Sequence, residues 1–98
     1  MSDLLTYGRM AEAHWREHCP RMVRELERTG QMTTSLLEAQ GRLPAALLEA
    51  QERTLDEMES LMRHFRQQGL TPQQAHDQAW ELVREKYLLL PPETTELP

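Results

Sequence analysis

An eleven-residue unit occurs twice in tandem. Gly30 to Gln40 reads GQMTTSLLEAQ, Gly41 to Gln51 reads GRLPAALLEAQ, and six of the eleven positions are identical. Eleven residues make three helical turns at about 3.67 residues per turn, so an extra unit rotates an apolar helix face by only roughly 20°. The repeat predicts a helical middle that can lengthen without ruining the fold. A spacer of that kind is poor ground for a precise active site.

The remainder of the 98 residues agrees with a helical reading. Leu, Glu, Gln, Arg, Ala and Met dominate, and aromatic residues are only 5%. These are good helix formers. β-Branched residues are scarce outside threonine, and no segment alternates apolar and polar residues for long enough to make a strand. The expected fold class is all-α: a small bundle of three to four helices with a kinked first helix and a long central helix. Residues 1–90 form a single helical domain in this reading, and residues 91–98 a flexible polar tail.

Capping signals place the helices. The first starts between Asp3 and Tyr7 and runs toward His18. Pro20 removes a backbone donor and crowds the carbonyl four residues earlier, so the helix kinks there or restarts with Pro20 in its first turn. Trp15, Cys19, Met22 and Leu26 keep one apolar seam across the proline. Gly30 is a natural stop. Ser35 to Glu38 fits a capping box and opens a short helix at the first LLEAQ. A long helix follows over Pro44 to Gln68, with a seam of Leu47, Ala50, Thr54, Met58, Leu61 and Phe65 flanked by Leu55 and Met62. Thr71-Pro72-Gln73-Gln74 is a second capping box. It opens a last helix reaching Leu89, with Ala75, Ala79, Leu82, Val83 and Tyr87 inward and Trp80 on the flank.

Charge narrows the partners. The formal net charge is −5, and the first thirty residues are neutral, with five Arg against five acidic groups. The whole excess lies beyond them. No basic stripe is present, so direct nucleic-acid binding is not favoured. An acidic helical surface suits a basic groove on a protein that processes nucleic acid. No apolar run approaches the roughly 20 residues of a membrane span, and Met1-Ser2-Asp3 does not open a signal peptide. A cytoplasmic protein without membrane contact is expected. A single cysteine, Cys19, allows no internal disulfide.

One pattern points to metal chemistry. His14-Trp15-Arg16-Glu17-His18 reads H-x-x-E-H, the pattern of inverted zinc peptidases. On a helix the two histidines share a face one turn apart, which suits two zinc ligands. A catalytic zinc needs a third ligand and a cleft, and His64 and His76 stand in no recognisable motif. His14, His18 and Cys19 are therefore weak candidates for metal binding, and two surface histidines are the plainer reading. Cys19 fits a small hydrophobe on the seam better than a reactive thiol. No phosphate-binding glycine loop, Ser-His-Asp set or nucleotide fingerprint occurs, so no cofactor and no catalytic residue is assigned.

The run Tyr7-Gly8-Arg9-Met10, followed by Glu17-His18 and Pro20, resembles the opening of TnpV-type proteins, small helical proteins encoded in bacterial transposons. The likeness continues through Gly30, the leucine-rich segment after it, Gly69-Leu70-Thr71 and Asp77-Gln78-Ala79-Trp80, and so spans most of the chain. The eleven-residue duplication and the end after Trp80 depart from that pattern. The resemblance implies an accessory protein of a mobile element and carries over no catalytic residue. From the residues themselves, Gly8 reads as a close-packing position with Tyr7 and Met10 as anchors.

The resulting expectation is a non-enzymatic accessory protein of a bacterial mobile element or phage, acting through helix-face contacts with a protein partner. Arg9, Trp15, Arg16, Trp80 and Arg84 are the candidate partner-binding residues, because Trp and Arg dominate interface energetics. The alternative is an acidic inhibitor of a nucleic-acid-processing enzyme, of the anti-CRISPR or antirestriction type. A small DNA-binding regulator is a further alternative, disfavoured because the last helix offers only Arg84 and Lys86. Self-association into a homo-oligomer stays open.

Overall fold

The computed structural model describes residues 6–32 and 40–93. Among them are four helices and no strand: α1 (Thr6–His18), α2 (Pro20–Arg28), α3 (Ala45–Gln67) and α4 (Pro72–Tyr87). The all-α expectation holds, with a break in the first helical region and a long central helix. The capping box at Ser35 to Glu38 and most of the first repeat lie outside the described residues. The Cα trace spans 46 × 43 × 19 Å. Helices pack with axes about 8–10 Å apart, so the thin dimension holds only two helix layers.

The break at Pro20 follows from its ring. Cys19 sits between α1 and α2 with φ −130° and ψ 53°, and Pro20 occupies the first turn of α2. The ladder nearly survives the break. The Cys19 N–H donates to the Trp15 carbonyl at 2.7 Å, and the Val23 N–H to the Cys19 carbonyl at 3.1 Å. The seam across the proline therefore persists: Trp15, Cys19 and Val23 are buried, and Met22 and Leu26 pack against them.

α3 and α4 form an antiparallel hairpin across the turn at 68–71. Gly69, at φ +98°, supplies the left-handed position that ends α3. The Thr71 hydroxyl accepts from the Gln74 N–H while the Gln74 side chain accepts from the Thr71 N–H, completing the expected capping box. Ala75 and Ala79 are fully buried, so the two backbones approach closely. Met58, Ala79 and Val83 make one core cluster, with Leu61, Met62 and Phe65 against it. The larger cluster joins Ala11, Trp15, Cys19 and Val23 to Met32, Leu43, Leu47, Ala50 and Leu88. Trp80 and Tyr87 pack against both. Thr54 is buried on the seam, where its hydroxyl donates to the Ala50 carbonyl one turn earlier at 2.8 Å.

Several expectations need correction. Leu82 was placed inward but is 55% exposed, and Leu55 is 48% exposed; the inner face of α4 is narrower, formed by Ala75, Ala79 and Val83. α4 ends at Tyr87, two residues before the expected Leu89, because the chain turns away at Leu88. The polar tail was expected from residue 91, yet Glu93 is anchored by both backbone and side chain to the α1–α2 junction. The second repeat unit is not a neutral helical spacer. Its first residues are non-helical, and two of its side chains, Leu43 and Gln51, hold α1.

That contact explains Gly8. The Gly8 N–H donates to Gln51 Oε1 at 2.8 Å. A Cβ on Gly8 would stand 2.3 Å from Leu43 Cδ1. Gly8 thus serves close approach of α1 to Leu43, in keeping with its sequence reading. Gly8→Ala gains about 1 kcal/mol of helix propensity but overpacks the contact at about 1–3 kcal/mol. The expected net outcome in urea unfolding is a loss of roughly 1 kcal/mol, and a Gly8→Ala/Leu43→Ala double variant should be more stable than the sum of the single changes by about 1 kcal/mol.

Candidate protein-binding groove

The five candidate residues do not form one surface. Helical spacing puts Arg9 and Arg16 on the outer face of α1, two turns apart. Both reach Glu12: Arg9 at 3.5 Å and Arg16 at 3.1 Å. Arg16 also pairs with Glu27 of α2 at 3.2 Å and so spans the break at Pro20. Burial works against the Arg16 charge, but the hydrogen bonds and charges of Glu27 and Glu12 outweigh it and raise the pKa further. Each arginine keeps 40% of its side chain exposed.

Trp80 and Arg84 stand one turn apart on α4. The Trp80 ring stacks on Tyr7 of α1, with centroids 5.3 Å apart and planes 13° apart. Arg84 pairs with Glu81 at 3.0 Å, and its buried Nε has no hydrogen-bond partner. The pairing relieves the Glu81–Glu85 repulsion that spacing alone suggests. A groove of about 520 Å3 beside it is lined by His14, Arg84, Leu89, Leu90, Pro91 and Pro92, together with Glu85. The groove thus joins a half-buried arginine to an apolar floor, and the Tyr7–Trp80 stack lies one helical turn from Arg84 along α4.

Trp15 is a correction. It is only 5% exposed, and its Nε1–H donates to the Leu88 carbonyl at 2.8 Å. The ring is core, and the N–H satisfies a carbonyl at the end of α4 that the helix no longer uses. Its place on the Trp15-Cys19-Met22-Leu26 seam was the available signal, and the interface preference of tryptophan obscured it.

The H-x-x-E-H residues serve the same junction. His14 and His18 stack with centroids 4.5 Å apart. His14 Nε2 lies 2.7 Å from the Leu90 carbonyl, which requires that nitrogen to carry the proton. The Cys19 thiol donates to the Pro91 carbonyl at 3.6 Å. Burial pushes the Cys19 pKa up, and the nearby Glu93 charge adds to it, which disfavours the thiolate a metal would need. His14 and His18 are half-buried rather than fully on the surface. Among the described residues no three His, Cys, Asp or Glu side chains gather as a metal site, and no helix is long and apolar enough to cross a membrane.

Glu93 completes the junction and escaped sequence reading. Its carboxylate accepts from the Arg21 N–H at 3.0 Å and the Met22 N–H at 2.9 Å, at the start of α2. Its own N–H donates to the His18 carbonyl at 2.9 Å. Burial opposes the charge, but the two backbone donors and the neighbouring Arg21 and Arg24 hold the carboxyl below its usual range. Cys19, the residue before α2, provides no side-chain cap. No local spacing pairs position 93 with position 21.

No family model, no curated protein and no solved structure matches the chain.

The assignment of Trp15 to the core is testable. Trp15→Phe keeps an aromatic ring but leaves the Leu88 carbonyl unpaired. It should lower the unfolding free energy by about 1–3 kcal/mol, where an exposed interface residue would change stability by less than about 0.5 kcal/mol.

Proposed function

We propose that this is a non-enzymatic accessory protein of a bacterial mobile element or phage that binds a protein partner through the groove beside α4. The observation that carries the reading is the half-buried Arg84 beside the apolar floor of Leu89 to Pro92, with the Tyr7–Trp80 stack one helical turn along α4. Aromatic and arginine side chains around a concave apolar surface are the composition of interface hot spots. The TnpV-type resemblance at Tyr7-Gly8-Arg9-Met10 supports the mobile-element setting, and the −5 charge favours a basic partner surface. Arg9 and Arg16 form a second, outer face of α1 that would extend the contact if the partner wraps around the helix.

The test is capture of partners by the tagged full chain from a bacterial lysate, with and without nuclease, read by mass spectrometry. A protein recovered in both conditions is expected. Arg84→Ala should reduce its recovery roughly tenfold, the scale of an arginine hot spot, with unchanged helix content by circular dichroism. Loss of capture only in Arg9→Ala/Arg16→Ala would move the interface to the outer face of α1. Recovery abolished by nuclease would replace a protein partner with nucleic acid. Steep weakening with salt for a nucleic-acid-processing enzyme would favour the acidic-inhibitor reading.

A further inference from the structure

The segment after α4 runs back across the break between α1 and α2 and is held there at single points. Leu88 accepts from Trp15, Leu90 from His14 and Pro91 from the Cys19 thiol. Among the described residues its far end is fixed by Glu93, on the His18 carbonyl and on the first N–H groups of α2. Leu88 is its one fully buried side chain, whereas Pro91 and Pro92 are exposed. A hollow of about 400 Å3 lies between Pro92, Glu93 and the helix corner, lined by His18, Pro20, Arg21 and Arg24. Leu88 to Leu90 pack on the core, whereas residues 91–93 bury no side chain and end on the Glu93 anchor, and a stretch of that kind belongs to the least stable part of a fold.

We propose that residues 91–93 are a detachable strap, latched by the Glu93 carboxylate on the start of α2, whose release uncovers Cys19 while the helices and Leu88 stay in place. Cys19 is shut in now, at 3% exposure. Met22 and Leu26 already line an open groove together with Trp15 and Leu90. With the strap away, Cys19 joins that groove in one apolar stripe along α1 and α2. The latch is ionic in origin. The groups facing Glu93 are Arg21 and Arg24 of α2 and His18 and Glu17 of α1, and an unfilled helix start favours a negative group. Pro91 and Pro92 also line the groove proposed for the partner, so opening of the strap removes part of that groove's floor, whereas the labelling below needs no partner.

Cys19 is the sole thiol, so its labelling rate reads the opening directly. The full chain, Glu93→Ala, Glu93→Asp and Val83→Ala are treated with an aromatic disulfide reagent at neutral pH without denaturant. Glu93→Ala should label roughly tenfold faster, the scale of losing a helix cap. Glu93→Asp keeps the charge but shortens the reach, and it should also label faster. Val83→Ala weakens the α3–α4 core away from the strap and should label within about twofold of the parent, because local opening does not follow global stability. Three results would overturn the strap: Glu93→Ala labelling at the parent rate, Glu93→Asp matching the parent while Glu93→Ala is fast, or all variants accelerating in proportion to their lost stability. The second would assign the effect to thiol ionisation, and the third to global unfolding.

Discussion

Among the described residues, α2 and α3 begin without a side-chain cap of their own, and the fold supplies partners for the first turns of α1, α2 and α3 from a distance. The first N–H groups of a helix have no partner inside it and must find one elsewhere. Gly8 of α1 finds Gln51 of α3. Arg21 and Met22 of α2 find Glu93. Ala46 of α3 finds the Gln31 carbonyl at 3.1 Å, just after α2. Only α4 carries a complete local box, at Thr71 and Gln74. Each borrowed cap ties one element to another, so each helix start depends on a tertiary contact.

This interdependence suits a thin molecule. A two-layer slab 19 Å deep offers little interior, and its core is built of small residues and a few large ones rather than a wide aromatic centre. Trp15 compensates by serving two roles. Its ring fills the larger cluster, and its N–H holds the Leu88 carbonyl where the chain leaves α4. Arg16, Glu12 and Glu27 add an ionic brace across the break at Pro20. Exposed pairs of this kind contribute less than about 1 kcal/mol each, so the brace orients the outer face of α1 more than it stabilises the fold. The hollow beside Arg84 then lies where α4 gives way to the returning strap.

The legible features were those with a local cause. Pro20 marked the break, Gly69 the end of α3 and Thr71-Pro72 the start of α4, because each acts on its own backbone. Periodicity placed Leu47, Ala50, Thr54 and Met58 on the inner face of α3. What stayed hidden is nonlocal. Nothing near Gly8 announces Gln51, which reads as a polar end of a repeat unit. Nothing near Pro20 announces Glu93, which reads as part of a polar tail. Trp15 and Leu82 show the complementary failure: residue type suggested an exposed tryptophan and a buried leucine, and the neighbouring elements decided the opposite. The groove is likewise a product of packing, since Tyr7 and Trp80 meet only across α1 and α4.

Amide hydrogen exchange on the intact chain tests the borrowed caps most directly, read at Gly8, Arg21, Met22 and Ala46. First-turn amides without partners exchange as freely as open backbone. Protection of all four above open backbone is the expected result, near that of Gln74 for Gly8 and Ala46 and weaker for Arg21 and Met22, whose cap opens with the strap. Free exchange at Gly8, Arg21, Met22 and Ala46, with Gln74 protected, would contradict it and leave the three helices without the caps that organise the fold.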